Sequence, residues 1–332
     1  MQEPSNIAAV DLGSNSFRLQ VGRVVDDQVY AVDSLREPVR LAAGLTPEGE
    51  LDDAAQERAV GVLRQFAQRL RGFAPTAVRA VGTNTLRAAR NAAEVLPLLE
   101  SALGFPIEIV AGREEARLVY VGVAHGLAPS AGQRLVVDIG GGSTEFIIGS
   151  GMTPRLTESL YMGCVTWSLK FFPEQRVSKS NMKRAELAAR VEIEAIRKQF
   201  SSKHWSEAIG SSGTARAISD VLESNGWCES GINREGLEKL RSAIISAGHI
   251  AKIDIAGLRG DRLPVLPGGV AIMKAVFDEL DVDHMKIASG AMRQGILWDM
   301  IGRRSKKDIR DTTVTQFMKR YQVDTPQARR VE

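Results

Sequence analysis

The sequence lacks the features that would place it in a membrane, in an export pathway or around a metal held by histidine and cysteine. No apolar run approaches the length of a membrane span, and the N-terminus lacks the basic-then-apolar order of a signal peptide. The two cysteines, Cys164 and Cys228, fit a reducing compartment as small buried hydrophobic residues, and the four histidines share no metal-ligand spacing. We therefore expect a cytoplasmic protein with no transmembrane segment.

Length and charge narrow the class of protein further. The 332 residues predict about two domains, and 44% hydrophobic with 25% charged residues is ordinary for a globular protein. The net charge of +3 comes from the tail, because residues 303–332 carry a net charge of +5 and the rest of the chain sums to −2. A polyanion would therefore be bound by local loops, particular arginines and metal. We interpret the tail as a solvated linker, with contact to nucleic acid or a long polyanion as the alternative.

The stretch from Leu135 to Ile148, LVVDIGGGSTEFII, consists of two apolar strands around a glycine-rich turn. Glycine permits positive φ and a close approach of backbone to an anion, so the N–H groups and hydroxyls of this loop suit phosphate. Asp138 and Glu145 flank the loop and would hold a hard cation. The chain contains no Gly-Lys-Ser/Thr and no helical pattern follows the glycines, which excludes a Walker loop and a dinucleotide-binding fingerprint.

The same arrangement occurs earlier, from Ile7 to Val21, which reads IAAVDLGSNSFRLQV. Again an apolar strand leads into Asp-x-Gly, small polar residues and a second strand with alternating apolar residues. Two such hairpins, opening two halves of one chain, predict a pair of phosphate-binding loops. The alternative is two unrelated hairpins in which each Asp caps its own turn, an explanation that suits one Asp better than both.

These paired loops, with Gly-Arg-Glu-Glu-Ala-Arg-Leu between them, resemble the exopolyphosphatase and guanosine pentaphosphate phosphohydrolase family, a branch of the superfamily of sugar kinases, heat-shock ATPases and actin. The resemblance covers nearly all of the chain. It implies an α/β fold of two actin-like (ribonuclease H-like) domains with a cleft between them, at residues 1–128 and 129–302, with the last helix returning to the first domain. Residues 303–332 would be a basic linker and the start of a truncated helical C-terminal region.

The resemblance also implies the members of a site in that cleft. The two loops would line opposite walls, with Gly13, Ser14, Asn15 and Ser16 on one and Gly140, Gly141, Gly142, Ser143 and Thr144 on the other. Ser212 and Gly213 would border the cleft, at the place where ATP-using members of the superfamily hold adenosine. Three carboxylates would ligate Mg²⁺ directly or through water, namely Asp11, Asp138 and Glu145.

Two further residues take roles only through the resemblance. Glu115 matches the family's general base, which would orient and deprotonate the water that attacks a terminal phosphorus. Without the family, Glu114 and Glu115 would be interpreted as acids that favour the N-terminal dipole of a helix. Arg87 matches an arginine implicated in polyphosphate contact, and alone it would be interpreted as a surface arginine.

The implied activity is Mg²⁺-dependent, processive hydrolysis of the terminal phosphoanhydride of inorganic polyphosphate, with guanosine pentaphosphate as a second substrate. The alternative within the family is guanosine pentaphosphate hydrolysis as the main activity. Outside the family, the alternatives are an ATP-dependent kinase or chaperone-like ATPase and a non-catalytic module that binds polyphosphate or an alarmone. We expect a homodimer and no specific nucleic-acid partner.

Periodicity predicts the remaining elements. After the first hairpin, Val29–Leu35 and Val39–Leu41 continue an antiparallel meander. Helical spacing is found at Leu51–Leu70, Glu114–Ala124 and Gly290–Ile301. In the tail, Arg303–Asp311 is predicted as a charged linker before two short helices, Thr313–Tyr321 and Thr325–Val331.

Overall fold

The computed structural model describes residues 5–128, 130 and 132–304. Within them the chain forms eleven strands and ten α-helices, arranged as two mixed sheets with helices packed around each, which confirms the predicted α/β class. No helix in these residues is long and apolar enough to cross a lipid bilayer. The predicted tail helices Thr313–Tyr321 and Thr325–Val331 lie outside the described residues, as does most of the linker before them.

The first sheet has five strands in the order β3-β2-β1-β4-β5. These strands are β1 (Ser5–Leu12), β2 (Phe17–Val25), β3 (Gln28–Glu37), β4 (Val78–Gly82) and β5 (Ile107–Ile109). The first three form an antiparallel meander, whereas β4 and β5 run parallel to β1. The helices of this part are α1 (Asp53–Arg69), α2 (Asn84–Ala88), α3 (Ala92–Leu103) and α4 (Gly112–Ala124).

The second sheet repeats this order with one strand added at its edge, as β8-β7-β6-β9-β11-β10. Its strands are β6 (Arg134–Ile139), β7 (Thr144–Ser150), β8 (Thr153–Leu160), β9 (Glu207–Ser211), β10 (Ile232–Asn233) and β11 (His284–Ile287). The remaining helices are α5 (Cys164–Phe171), α6 (Lys179–Arg197), α7 (Ser212–Ser224), α8 (Arg234–Ala247), α9 (Leu266–Glu279) and α10 (Met292–Arg304). The hairpins β1–β2 and β6–β7 therefore occupy equivalent positions in the two sheets.

An apolar layer shared by both sheets joins the two halves of the molecule. One buried cluster contains Ile7 and Val81 of the first sheet and Val136 and Ile209 of the second, together with residues of α4 and α10. Strands β4 and β6 are buried along their whole length, as expected of strands covered on both faces. Helix α10 packs against α4 and β1, so the last described helix lies with the first sheet.

Two details differ from the sequence-based expectations. Val39–Leu41 was predicted as a strand, but Arg40 has a left-handed backbone with φ of 51° and a 3₁₀ turn follows at Leu41–Gly44. The reason is that the N–H groups of Arg40 and Ala42 donate to the carbonyls of Asn15 and Ser14, at 2.8 and 3.0 Å, instead of pairing with β3. Strand β10 was not predicted, because its two residues give no periodicity to detect.

Glycine allows α4 and α10 to pack at very close range. A β-carbon at Gly295 would overlap the backbone carbonyl of Leu118, and one at Gly122 would overlap that of Ala291. The obstructing atoms are backbone carbonyl groups, which cannot rotate aside as the end of a side chain can. The separation of these two helices is therefore set by the absence of side chains at their contact.

Replacing Gly295 with alanine should destabilise the fold by about 1–3 kcal/mol, because the added methyl group can be accommodated only by separating α10 from α4. Gly61→Ala on α1 is the matched control, since nothing lies within 4 Å of its added β-carbon. There alanine should stabilise the helix by about 0.5–1 kcal/mol. Thermal unfolding of both variants tests whether Gly295→Ala lowers stability and Gly61→Ala raises it. A Gly295→Ala protein as stable as the parent would contradict the close packing.

Candidate active site

The two predicted phosphate loops are built in the same way. In each hairpin the strands pair up to the loop, Leu12 with Phe17 and Ile139 with Thr144, which leaves four loop residues. The first loop glycine also packs identically, because a β-carbon at Gly13 would lie 3.0 Å from the Ser16 carbonyl oxygen and one at Gly140 would lie 3.1 Å from that of Ser143. The repeat seen in the sequence is therefore a repeat of backbone geometry.

The two loops touch one another across the boundary between the sheets. A β-carbon at Gly141 would lie 2.8 Å from the backbone nitrogen of Asn15 and 2.9 Å from the β-carbon of Ser14. Real β-carbons do not approach other atoms so closely, so any side chain at Gly141 would push the loops apart. The glycine bends face each other, as the paired-loop prediction requires.

A cleft opens beside this contact and collects most of the predicted site residues. The four predicted carboxylates that line it are Asp11, Glu115, Asp138 and Glu145. The predicted substrate-binding residues that line it are Gly13, Ser14, Asn15, Ser16, Gly140, Gly141, Ser143, Ser212 and Gly213. The hydroxyl of Ser16 is buried and makes no hydrogen bond within the described residues, which leaves it available to a ligand.

Three residues predicted to bind substrate lie behind the cleft surface instead. Thr144 is fully buried and its hydroxyl donates a 2.6 Å hydrogen bond to the carbonyl of Met162. Gly142 packs against the side chains of Asn84 and Ser14. Arg87, on α2, does not line the cleft but contacts the Val110 carbonyl and the Glu115 carboxylate at the start of α4, and its contact with polyphosphate stays a prediction.

Glu115 lies in the first turn of α4, and its carboxylate is held by Arg87. One Arg87 nitrogen, Nη1, donates to the Val110 carbonyl at 2.6 Å and lies 3.4 Å from Oε2 of Glu115. The glutamate is 8% exposed and reaches the cleft between the two loops. Arg87 thus pairs with a buried carboxylate that lines the cleft.

The carboxyl groups of the cleft are held in an environment that favours their protonated forms. Burial raises the pKa of Glu115 to about 8, with Arg87 opposing the shift and the charges of Asp11 and Asp138 adding to it. Burial likewise raises the pKa of Asp11 to about 6, against the nearby charges of Arg18 and Arg293. Desolvation also raises the pKa values of Asp138 and Glu145, which stand directly opposite each other on β6 and β7.

This set of oxygen donors fits a hard divalent cation. Asp11, Asp138 and Glu145 are buried or half-buried around one cleft, and their raised pKa values reflect a local excess of desolvated carboxyl groups that a cation would relieve. In the part of the chain that the structure describes, no three Asp, Glu, His or Cys side chains are placed so that they could hold a metal ion by themselves. Mg²⁺ commonly takes only one or two carboxylates and completes its shell with water and phosphate oxygens.

Sequence reasoning missed the arginines of the cleft. These are Arg18 and Arg36 from β2 and β3, with Arg216, Arg259, Arg262 and Arg293 from the second half of the chain. Arg18 stands opposite Asp11 in the first hairpin, so pairing the strands outward from the four-residue loop would have placed both on the same face. The other arginines carry no comparable signal, because only the tertiary fold brings them together.

Comparisons with known proteins identify the family and the fold of this chain. A family model described as the Ppx/GppA phosphatase family matches residues 20–304. An exopolyphosphatase from Cytophaga hutchinsonii has a TM-score of 0.81 at 20% identity, over 90% of this chain and 98% of that one. An exopolyphosphatase-like protein has a TM-score of 0.80 at 23% identity, over 91% of this chain and 99% of that one. A Ppx/GppA family member from Aquifex aeolicus has a TM-score of 0.71 at 22% identity, over 92% of this chain and 100% of that one. These structures share the fold of this chain.

The raised pKa of Glu115 predicts an unusual stability profile. Folding holds its pKa at about 8 against an ordinary value of 4.5, so the stabilisation present below pH 4.5 is lost as pH rises towards 8. In EDTA, Glu115→Gln should therefore raise the free energy of unfolding by about 1–3 kcal/mol at pH 8.5 and much less at pH 5. Thermal unfolding at the two pH values tests this, and a gain that does not grow with pH would contradict the buried-carboxyl interpretation.

Proposed function

Because the chain belongs to the Ppx/GppA phosphatase family, we propose that it is a phosphatase that hydrolyses the terminal phosphoanhydride of inorganic polyphosphate and releases orthophosphate. The observation that carries this proposal is the meeting of two glycine loops, one from each sheet, beside the buried carboxylate of Glu115. The loops suit a phosphate end, and the glutamate suits activation of water next to it.

Each group has a distinct task in this reaction. Loop N–H groups and the unpartnered Ser16 hydroxyl bind the oxygens of the terminal phosphoryl group. Glu115, held by Arg87, orients the attacking water and accepts its proton. Asp11, Asp138 and Glu145 would hold Mg²⁺, which when bound supplies positive charge to the phosphate oxygens. The same positive charge would favour the ionised form of Glu115, which the base role requires.

The lining of the cleft supports a phosphate chain over a nucleotide as the main substrate. Six arginines line the cleft, whereas no Phe, Tyr or Trp does so among the described residues, so a base would find no aromatic surface on which to stack. Guanosine pentaphosphate presents the same terminal group, and we expect it to be hydrolysed less efficiently.

An ATP-dependent kinase or ATPase fits the same cleft less well. The guanidinium group of Arg262 packs against Gly213 so closely that a β-carbon there would overlap it. Adenosine would be expected at this place from the resemblance to ATP-using relatives, and a buried cation with no aromatic neighbour in the lining offers it little. We therefore expect weak ATP binding and slow ATP turnover.

Phosphate release from long-chain polyphosphate, guanosine pentaphosphate and ATP, each with and without Mg²⁺, tests the proposed function. Release should be fastest from polyphosphate and should require the metal. Glu115→Gln should lower kcat by about 10² to 10⁴, because general-base catalysis typically contributes that factor. The variant should remain folded, since the substitution removes a buried charge.

The matched control is Glu235→Gln, another glutamate in the first turn of a helix, which pairs with Lys239 on the surface of α8. It should leave turnover unchanged. Phosphate release that survives Glu115→Gln would count against the base role of this residue. Absence of release by the intact protein would favour a module that binds polyphosphate without cleaving it.

A further inference from the structure

One carboxylate bridges the two halves of the molecule at the arginine side of the cleft. Oδ2 of Asp261, in the loop between α8 and α9, lies 2.6 Å from Nη2 of Arg36 on β3. Asp261 also faces two arginines of its own loop, because Nε of Arg262 lies 3.8 Å from Oδ2 and Nε of Arg259 lies 3.8 Å from Oδ1. All three arginines line the cleft. A single fixed anion therefore sits among three cations that a phosphate chain would otherwise contact.

The arginines at this side of the cleft lie so close together that a nearby negative charge would stabilise them. Arg36 stands directly opposite Arg18 across β2 and β3, and Arg18 stands opposite Asp11 across β1 and β2. Like charges in directly opposite positions destabilise a sheet. Burial, followed by the positive charge of Arg293, lowers the pKa of Arg18 to about 9. The row of side chains thus runs from the predicted metal-binding end of the cleft to a cationic end.

Asp261 satisfies these cations only in part. The Nε atoms of Arg36 and Arg262 are buried and have no hydrogen-bond partner within the described residues, and Arg262 is only 5% exposed. A buried charged donor without a partner carries a desolvation penalty. A single carboxylate has two oxygens and cannot reach all of these donors, whereas successive phosphates offer several oxygens each.

Asp261 is itself ionised. Desolvation opposes its ionisation, but the hydrogen bond from Arg36 and the charges of Arg36, Arg262 and Arg259 together lower its pKa. Its side chain is 31% exposed and that of Arg36 is 27% exposed, so the pair can be broken by a ligand entering from solvent.

We propose that Asp261 is an internal competitor of the substrate, occupying the place among Arg36, Arg259 and Arg262 that phosphates remote from the cleaved end would take. The inference rests on the proposed function, because it assigns the arginine end of the same cleft to the body of a phosphate chain. Arg36 and Asp11 are separated by two strand spacings, roughly 10 Å. A single phosphate ion held by the glycine loops cannot span this distance, so only a chain gains by displacing Asp261.

Binding measured by calorimetry in EDTA, without turnover, tests the proposal with the full chain. Asp261→Asn removes the charge and keeps the shape of the side chain. It should tighten the Kd for long-chain polyphosphate by about 2- to 5-fold, since a partly exposed ion pair no longer has to be broken, and leave the Kd for orthophosphate unchanged. Asp283→Asn is the matched control, because Asp283 pairs at 2.8 Å with Arg234, which does not line the cleft as the partners of Asp261 do, and it should change neither Kd.

A second variant separates competition from a general charge effect. Arg36→Gln should weaken long-chain binding, and adding Asp261→Asn to it should give much less gain than in the parent, because the two residues act on one contact. An equal gain in both backgrounds, or equal tightening for orthophosphate, would overturn the proposal. If Asp261→Asn bound long-chain polyphosphate equally well or more weakly, the proposal would also be overturned. The Arg36–Asp261 salt bridge would then only connect the two halves of the molecule.

A different result would reject the proposed function. It is rejected if the intact protein, supplied with Mg²⁺, releases no phosphate from polyphosphate. The competition is rejected by the binding results alone, which require neither metal nor turnover.

Discussion

The arrangement of the site depends on a backbone contact between loops from two different sheets. Gly141 lies against Ser14 and Asn15, and Gly163 lies in turn against the backbone of Gly141, so three chain segments meet with no side chain between them. A side chain at Gly141 would push the two halves of the chain apart, and one at Gly163 would displace the loop that carries Gly141. The contact therefore sets both the spacing of the loops and the width of the cleft beside them, and a phosphate group held there would touch both halves of the chain.

The second constraint is electrostatic, and it opposes stability. Four carboxyl groups, those of Asp11, Glu115, Asp138 and Glu145, are gathered where burial raises their pKa values. Such a cluster is tolerated because the surrounding structure is firmly packed, with α4 locked to α10 through glycine and both helices buried between the sheets. Local strain of this kind is characteristic of functional sites, where the unfavourable charge is relieved only when a ligand binds.

Sequence reasoning succeeded where the information is local. The two hairpins follow from apolar runs around glycine, and the position of Glu115 beside them followed from a motif resemblance that periodicity alone could not supply. It failed where tertiary contacts decide. Val39–Leu41 was predicted as a strand, yet its backbone bonds to the loop at residues 13–16. The contact of Arg87 with Glu115 was not foreseen, and the cleft arginines were missed, because these residues come from distant parts of the chain.

The distribution of charge gives the cleft a direction. Across three neighbouring strands, Asp11, Arg18 and Arg36 stand in one row, so the lining changes from carboxylate to guanidinium over roughly 10 Å. We infer that a phosphate chain would bind with its end among the carboxylates, where a divalent cation can mediate the contact, and with its body among the arginines. The reverse orientation would leave the end far from Glu115. Under the proposed function, this polarity would allow residues 1–302, whose charges sum to only −2, to select the terminus of a polyanion, because binding would depend on the local order of charges rather than on their sum.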